Sequence, residues 1–260
     1  MTDNKDIFLT DTHAHLNDEA FDEDREEVIA SMKGSIRWII NNGYDLESSR
    51  LACELAKTHD FLYATCGLHP HDSKDWNEEY EQALISLLSN EKCVAVGEIG
   101  LDYHYDNSPR DIQREVFIRQ IDLAGAYNRP ITIHSRDAVQ DTYDILKEHL
   151  KSDRGAVMHS FSQSTEMLKR YLDMNVCFSI SGIVTFKNAQ HVREMVAYIP
   201  LDRLFIETDC PYMTPVPFRG RRNLPVYTEY TARTIAGIKN VSYEYLIETT
   251  CRNAEKFFNI

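Results

Sequence analysis

Eight short apolar runs rich in β-forming residues recur along the chain, and longer amphipathic stretches separate them. Each intervening stretch is long enough for one crossover helix, which is what consecutive parallel strands require. The runs are Phe8–Thr10, Ile36–Ile40, Phe61–Thr65, Cys93–Val96, Ile131–Ile133, Ala156–Met158, Val176–Ile180 and Leu204–Ile206. Eight such units in 260 residues predict an α/β fold, a (β/α)8 TIM barrel, as a single domain over residues 1–260.

An open doubly wound sheet is the alternative architecture for alternating strands and helices. It more often carries a Gly-rich phosphate loop after its first strand, and none is present here. Two helices have clear sequence signals. One is predicted to begin with Ser108 as N-cap and Pro109 as its first residue. The other is predicted to begin near Ser242 and to bury Leu246, Ile247, Ala254 and Phe257.

The composition is that of a globular protein with an acidic balance. Lys and Arg number 28 against 41 Asp and Glu, a formal net charge of −13, which at first argues against a polyanionic partner. No apolar run approaches the length of a membrane span, and the start of the chain lacks a signal peptide's apolar stretch. We therefore expect a cytoplasmic protein with no membrane partner, whose six cysteines, lacking any CxxC pair, are reduced thiols in the core.

Side chains that bind metals follow five of the eight predicted strands. Barrel active sites lie at the carboxyl ends of the strands, so these side chains converge on one mouth. A lone histidine there is more often structural, but five strand ends with such residues point to a metal site. Six ligands are enough for two divalent ions that share a carboxylate, and Glu98 is the natural bridge. The candidates are His13, His15, Glu98, His134, His159 and Asp209.

Three further side chains are placed near the same mouth by their positions after strands. His69 follows the third strand and either contacts substrate or supports its loop. Arg136, two residues beyond His134, either binds a phosphate through two N–H groups of its guanidinium or forms an ion pair with Asp137. Arg219 opens a basic run after the eighth strand, which is either a phosphate contact or a solvated loop.

Two acidic residues share the phase of candidate ligands without being assigned as ligands. Asp11 precedes His13 by two residues and Glu207 precedes Asp209 by two, a spacing that puts each pair on the same side of an extended chain. Each either orients a ligand from behind or has a purely structural role.

Several motifs occur together in a recognisable order. As a set they resemble the signature blocks of the TatD family of metal-dependent deoxyribonucleases, and the resemblance covers essentially the whole chain. The blocks are Thr10–His15, Gly67–His71, Gly97–Tyr103, Pro130–Asp137, His159–Phe161, Glu207–Tyr212, Thr214–Gly220, Asn223 and Asn253–Phe258.

The resemblance implies a TIM-barrel hydrolase that uses two divalent metal cations per chain, Zn, Mg or Mn. One ion would be held by His13, His15, Glu98 and Asp209, and the other by Glu98, His134 and His159. The implied activity is phosphodiester hydrolysis on DNA, as a 3′–5′ exonuclease. As the mechanism on DNA ends or single strands we expect Asp209 to act as ligand and general base, because a carboxylate that contacts the metal-bound water can take its proton, and we expect a monomer. The side chains expected to contact the substrate are His69, Tyr103, Arg136 and Arg219.

Other functions remain open on the sequence. A binuclear amidohydrolase-like barrel would also begin with His-x-His and end with Asp, although many such enzymes bridge their metals with a modified lysine where this chain has Glu98. A family variant could cleave an ester on an RNA end, such as mischarged tRNA. A non-catalytic barrel that keeps its metals for stability is the third alternative.

The acidic net charge does not exclude nucleic acid once two metals are considered. Two divalent cations would add about four positive charges beside the scissile phosphate. An enzyme that grips only a strand end needs no long basic track. The composition then predicts weak, metal-dependent and end-directed binding.

Overall fold

The computed structural model describes residues 9–260. Its eight strands form one all-parallel sheet in the order β1 to β8, as predicted for the barrel. Phe8, assigned to the first strand, lies outside the described residues. The strands are β1 Leu9–Ala14, β2 Ile36–Asn42, β3 Leu62–Cys66, β4 Cys93–Asp102, β5 Ile131–Arg136, β6 Ala156–Met158, β7 Val176–Ile180 and β8 Leu204–Ile206.

Helices cover the outside of the sheet and connect its strands. Their apolar faces pack on the barrel, and α2, α6 and α9 begin at side-chain N-caps, Asp45, Ser164 and Ser242. The helices are α1 Arg25–Met32, α2 Leu46–Thr58, α3 Glu78–Leu88, α4 Arg110–Ala126, α5 Val139–His149, α6 Thr165–Leu172, α7 Gln190–Tyr198, α8 Thr228–Lys239 and α9 Tyr243–Phe258.

The barrel closes where the segment after β8 returns to β1. The Asp209 amide donates to the His13 carbonyl at 2.8 Å, and the His15 amide donates to the Cys210 carbonyl at 2.8 Å. These two bonds form a seam between the first and last strands, next to residues predicted to bind metal.

The amino-terminal end of the barrel is covered by α9. Cys251, Ala254 and Phe258 of this helix belong to one buried cluster with residues near the starts of several strands, among them Val94 and Phe205. The barrel is therefore filled and covered at this end, and its accessible mouth is at the carboxyl ends of the strands.

Two sequence predictions about helices need correction. The helix expected to start at Pro109 starts at Arg110, because Pro109 has an extended ψ of 138°. The Ser108 hydroxyl does not cap it and instead donates to the His71 carbonyl at 2.7 Å. In α9 the buried aromatic residue is Phe258, one helical turn beyond Ala254, and Phe257 is half-buried.

The six cysteines are free and buried, as expected for core thiols. Within residues 9–260, no helix combines the length and the apolar character needed to cross a membrane.

Candidate metal centre

The six candidate ligands converge at the carboxyl ends of the strands. His13, Glu98 and His134 lie within β1, β4 and β5, whose paired regions extend past the apolar runs of the sequence. The other three, His15, His159 and Asp209, lie directly after β1, beyond β6 and beyond β8. Four of the six are buried, and His134 and His159 are half-buried.

Four donor atoms crowd together on the β1–β8 side of the mouth. His13 Nε2 and His15 Nε2 are 3.1 Å apart. Glu98 Oε2 lies 3.3 Å from His13 Nε2 and 3.6 Å from His15 Nε2. Asp209 Oδ1 lies 3.4 Å from His15 Nε2. Asp209 has a left-handed φ of 59°, a conformation found at functional sites, where the surrounding structure holds it.

The other oxygen of Glu98 faces a second set of imidazoles. Glu98 Oε1 lies 3.0 Å from His134 Nδ1 and 3.1 Å from His159 Nε2. His69 Nε2 lies 3.7 Å from the same oxygen. The two oxygens of one buried carboxylate therefore serve two groups of histidines.

The donor set fits divalent cations. Two buried ring nitrogens 3.1 Å apart, both next to carboxylate oxygens, form a group that a cation would satisfy. Three groups have their donor atoms within 4.8 Å of one another: His13, His15 and Asp209; His69, Glu98 and His134; and His13, His159 and Glu207.

The two candidate carboxylate ligands are held in their ionised form. Burial raises the pKa of Glu98, but the facing His159 and His13 hold that pKa well below its usual range. Burial likewise opposes ionisation of Asp209, and its hydrogen bond with His15 lowers the pKa. Burial, helped by His159, lowers the pKa of His13, so that this ring is neutral and offers a lone pair. The carboxylates Glu98 and Glu207 in turn raise the pKa of His159 well above its usual value, against the effect of burial. A metal cation would take the place of such protons beside the ionised carboxylates.

Supporting groups fix the orientation of the histidines. His15 Nδ1 lies 2.9 Å from the Asn42 carbonyl, and His159 Nδ1 lies 3.3 Å from Glu207 Oε1. Glu207 also accepts from the Ser160 amide at 2.7 Å. Glu207 thus contacts a candidate ligand, one of the two roles left open by its spacing.

Of the two roles left open for Asp11, orienting a ligand or supporting the fold, its contacts indicate the structural one. Its carboxylate accepts hydrogen bonds from the backbone amides of His13 and Thr208 and contacts no imidazole ring. Burial raises the pKa of Asp11 to about 8. Asp11 therefore ties β1 to the segment after β8.

Sequence reasoning missed Asp102. This fully buried carboxylate lies 2.9 Å from His134 Nε2 and 3.2 Å from His71 Nε2. Burial raises its pKa, but the hydrogen bonds with His134 and His71 outweigh burial and lower it strongly. The sequence carried a signal for Asp102, because it lies four residues beyond Glu98 in β4 and residues at even spacing point to the same face of a strand.

The four expected substrate residues separate into two pairs. His69 and Arg136 line the cleft above the metal-binding cluster, and Arg136 makes no ion pair with Asp137 in the described chain. Tyr103 is outside the cleft lining, and its hydroxyl donates to Asp141 at 2.7 Å. Arg219 is also outside the lining, with its guanidinium 3.6 Å from the ring centre of Phe186.

Comparison with known proteins gives the family. The family model described as TatD related DNase matches residues 10–259. The chain belongs to the TatD family. It is 47% identical over 253 residues to YabD of Bacillus subtilis (strain 168), covering 97% of this chain and 99% of that protein. It is 36% identical over 259 residues to YcfH of Escherichia coli (strain K12), covering 98% and 97%. Both are named uncharacterized metal-dependent hydrolases.

A solved TatD-family structure has the same fold over nearly the full length. The TatD homologue YjjV from Escherichia coli K12 superposes with a TM-score of 0.91 at 28% identity, covering 97% of this chain and 98% of that one. The TatD barrel described above is thus a metal-dependent hydrolase, as the sequence motifs indicated.

Proposed function

We propose that this TatD-family hydrolase is a deoxyribonuclease that removes nucleotides from 3′ ends of DNA, with two divalent cations at the centre. The observation that carries the proposal is the division of Glu98: Oε2 faces His13 and Oε1 faces His134. One carboxylate between two ligand groups is the arrangement that a pair of cations requires. The family model's description as a DNase supports DNA as the substrate.

We assign the ligands in two sets that share Glu98. His13, His15 and Asp209 would complete one set, and His134 and His159 the other. When bound, the cations would supply Lewis acidity that makes water nucleophilic at neutral pH and stabilises charge on the phosphoryl oxygens.

The chain's own residues hold protons and the substrate. Asp209 is ionised and is the proposed general base, because its Oδ1 reaches the space between the two histidines of β1. Burial and His134 lower the pKa of His69, so this ring is neutral and can donate one hydrogen bond to substrate. Arg136, exposed in the cleft and beside the Tyr105 ring, is placed to bind a phosphate.

The test is digestion of end-labelled single- and double-stranded DNA and RNA by protein reconstituted with Zn²⁺, Mg²⁺ or Mn²⁺. We expect single-nucleotide products from 3′ ends of DNA, with no cleavage after chelation. Failure to cleave DNA, together with cleavage of an amide, lactone or aminoacyl ester by the same metal-loaded protein, would overturn the proposal. For the variant Glu98→Gln, which changes the proposed shared ligand, the matched control is Glu81→Gln, a carboxylate-to-amide change at a surface ion pair with Arg119.

A further inference from the structure

The two sides of the mouth differ in charge. The segments after β1, β2 and β3 contribute six carboxylates to the cleft lining, and Arg136, at the end of β5, is its one Lys or Arg among the described residues. By contrast, residues 181–193 and 210–228, which follow β7 and β8, contain no Asp or Glu. The carboxylates of the acidic side are Asp18, Glu19, Asp22, Asp45, Glu47 and Asp72.

A half-buried tyrosine, Tyr44, reports the negative potential of the acidic side. Burial raises the pKa of Tyr44 to about 12, and the charges of Asp18 and Asp45 add to that rise. A phosphate chain that continued across this side of the mouth would meet the same repulsion.

The opposite side presents cations without acidic partners. Arg219 and Arg221 are exposed, and neither forms an ion pair within residues 9–260. Their neighbour Arg222 differs, because it makes two hydrogen bonds to the Asp24 carboxylate. The guanidinium of Arg219 lies over the ring of Phe186.

Apolar and aromatic side chains lie among these cations. Met213 and Val216 are 39% and 40% exposed, and the half-buried Phe218 stacks on Tyr227 with ring centres 4.5 Å apart. We call the set formed by Phe186, Met213, Val216, Phe218, Arg219 and Arg221 the β7–β8 surface.

The β7–β8 surface is continuous with the cleft and held in place. Met213 belongs to the cleft lining as well. The Val216 amide donates to Thr185 Oγ1 at 2.9 Å, which joins the two loops. A Cβ on Gly182 would lie 2.2 Å from the Met213 carbonyl oxygen, so only glycine allows the loops to approach this closely.

We propose that the β7–β8 surface is the track for a single-stranded nucleic acid leaving the metal centre, with bases stacking on the Arg219–Phe186 pair and phosphates near Arg221. Unpaired cations interleaved with aromatic rings are the features that bind single strands without sequence preference. The acidic side of the mouth directs the strand to this side, so that only a strand end occupies the centre. This inference rests on the proposed function and specifies how its substrate lies.

The test measures binding without turnover. Protein loaded with Mn²⁺ is titrated into a fluorescent twelve-nucleotide oligothymidylate with phosphorothioate linkages, and separately into the corresponding dinucleotide. We expect Arg219→Ala and Phe186→Leu each to reduce the ratio of long to short affinity by about 5- to 150-fold. The control is Arg233→Ala, which removes a guanidinium from the ring of Tyr243, outside the cleft, and should leave the ratio at its wild-type value.

The outcomes separate the track from the proposed hydrolysis. If both variants keep the wild-type ratio, or if the wild type binds the two oligonucleotides equally, the track is overturned even when DNA is cleaved. If Arg219→Ala and Phe186→Leu lower the ratio of long to short affinity and Arg233→Ala does not, the track is supported even when the wild type cleaves no DNA. Because Arg219 is exposed, Arg219→Ala tests the track without loss of the fold.

Discussion

Each of the two carboxylate oxygens of Glu98 lies close to two candidate ligand histidines. One oxygen lies within 3.6 Å of both histidines of β1, and the other lies within 3.1 Å of His134 and His159. An amide at this position would keep the shape but replace one of the two oxygens with a donor. One side of the centre would then lose an anionic ligand.

We therefore expect Glu98→Gln and Asp209→Asn each to reduce phosphodiester turnover by about 10²- to 10⁴-fold while the fold survives. The measurement is the steady-state rate on bis(p-nitrophenyl) phosphate, with circular dichroism as the check on folding. Turnover near the wild-type rate in either variant would rule out the role given to that residue.

Asp102 contacts the candidate metal centre through His134. Its Oδ2 faces the Nε2 atoms of His134 and His71, and its Oδ1 accepts from the amides of His104 and Tyr105. Asp102→Asn would keep one oxygen for the loop but remove the charge behind His134. We expect metal affinity to fall by about 10- to 100-fold, measured by competition with a chromophoric chelator.

The control for Asp102 is Asp106→Asn, which removes a carboxylate from an exposed ion pair with Arg110. Unchanged metal affinity in Asp102→Asn, with folding intact, would contradict the positioning role.

At the scale of elements, β4 and β5 pair closely around the centre. Gly100 is paired with His134, and it has a φ of 142°, which L side chains rarely adopt. A Cβ there would lie 1.9 Å from the His134 carbonyl oxygen. Glycine at position 100 therefore allows the backbone of β5 at His134 to lie this close to β4, the strand that carries Glu98.

Gly100→Ala is expected to destabilise the protein by at least about 3 kcal/mol, because backbone atoms must move to remove the overlap. Chemical denaturation measures the change. The matched control is Gly125→Ala in α4, where a Cβ meets nothing within 4 Å and helix propensity favours alanine by up to about 1 kcal/mol. Equal stability of the Gly100 variant and the wild type would contradict the close approach.

The elements also show what sequence can and cannot predict. The apolar runs located all eight strands, because strand interiors are buried whatever the function. They did not predict that β4 continues to Asp102, since two glycines and two carboxylates interrupt the apolar run after Val96 and leave only Ile99 and Leu101 as apolar residues. The helix entry at Ser108 was wrong because the hydroxyl binds a distant carbonyl, of His71, a tertiary contact that local sequence does not encode.

At the scale of the whole molecule, the candidate metal centre lies on the seam that closes the barrel. His13 lies in β1, and His15 and Asp209 follow β1 and β8, the two strands that meet there. Cations bound by all three would hold the first and last strands together, so metal should stabilise the fold as well as the chemistry.

We expect exhaustive chelation to abolish hydrolysis and to lower the melting temperature by about 5–10 °C relative to protein in metal at 100 times its dissociation constant. Differential scanning calorimetry measures the shift, and metal re-addition should reverse it. Persistent activity after chelation would overturn the metal-dependent mechanism, and an unchanged melting temperature would contradict the link between the centre and the seam.

The charge asymmetry of the mouth shows the limit of composition. A net charge of −13 describes the chain, but the arrangement of six carboxylates on one side and free arginines on the other depends on which loops meet in space. Arg219 could be identified from the sequence as a cation after β8, but its position beside Phe186 and outside the cleft could not.

The seam also determines when, during its synthesis, the protein can acquire activity. The histidines of β1 emerge from the ribosome early, and Asp209 emerges only after eight strands have been made. Until then no growing chain contains the full set of proposed ligands, and the hydrogen bond from the Asp209 amide to the His13 carbonyl cannot form. Hydrolytic capacity would therefore appear in one step when the barrel closes, and a nascent chain would carry no complete set of the proposed metal ligands.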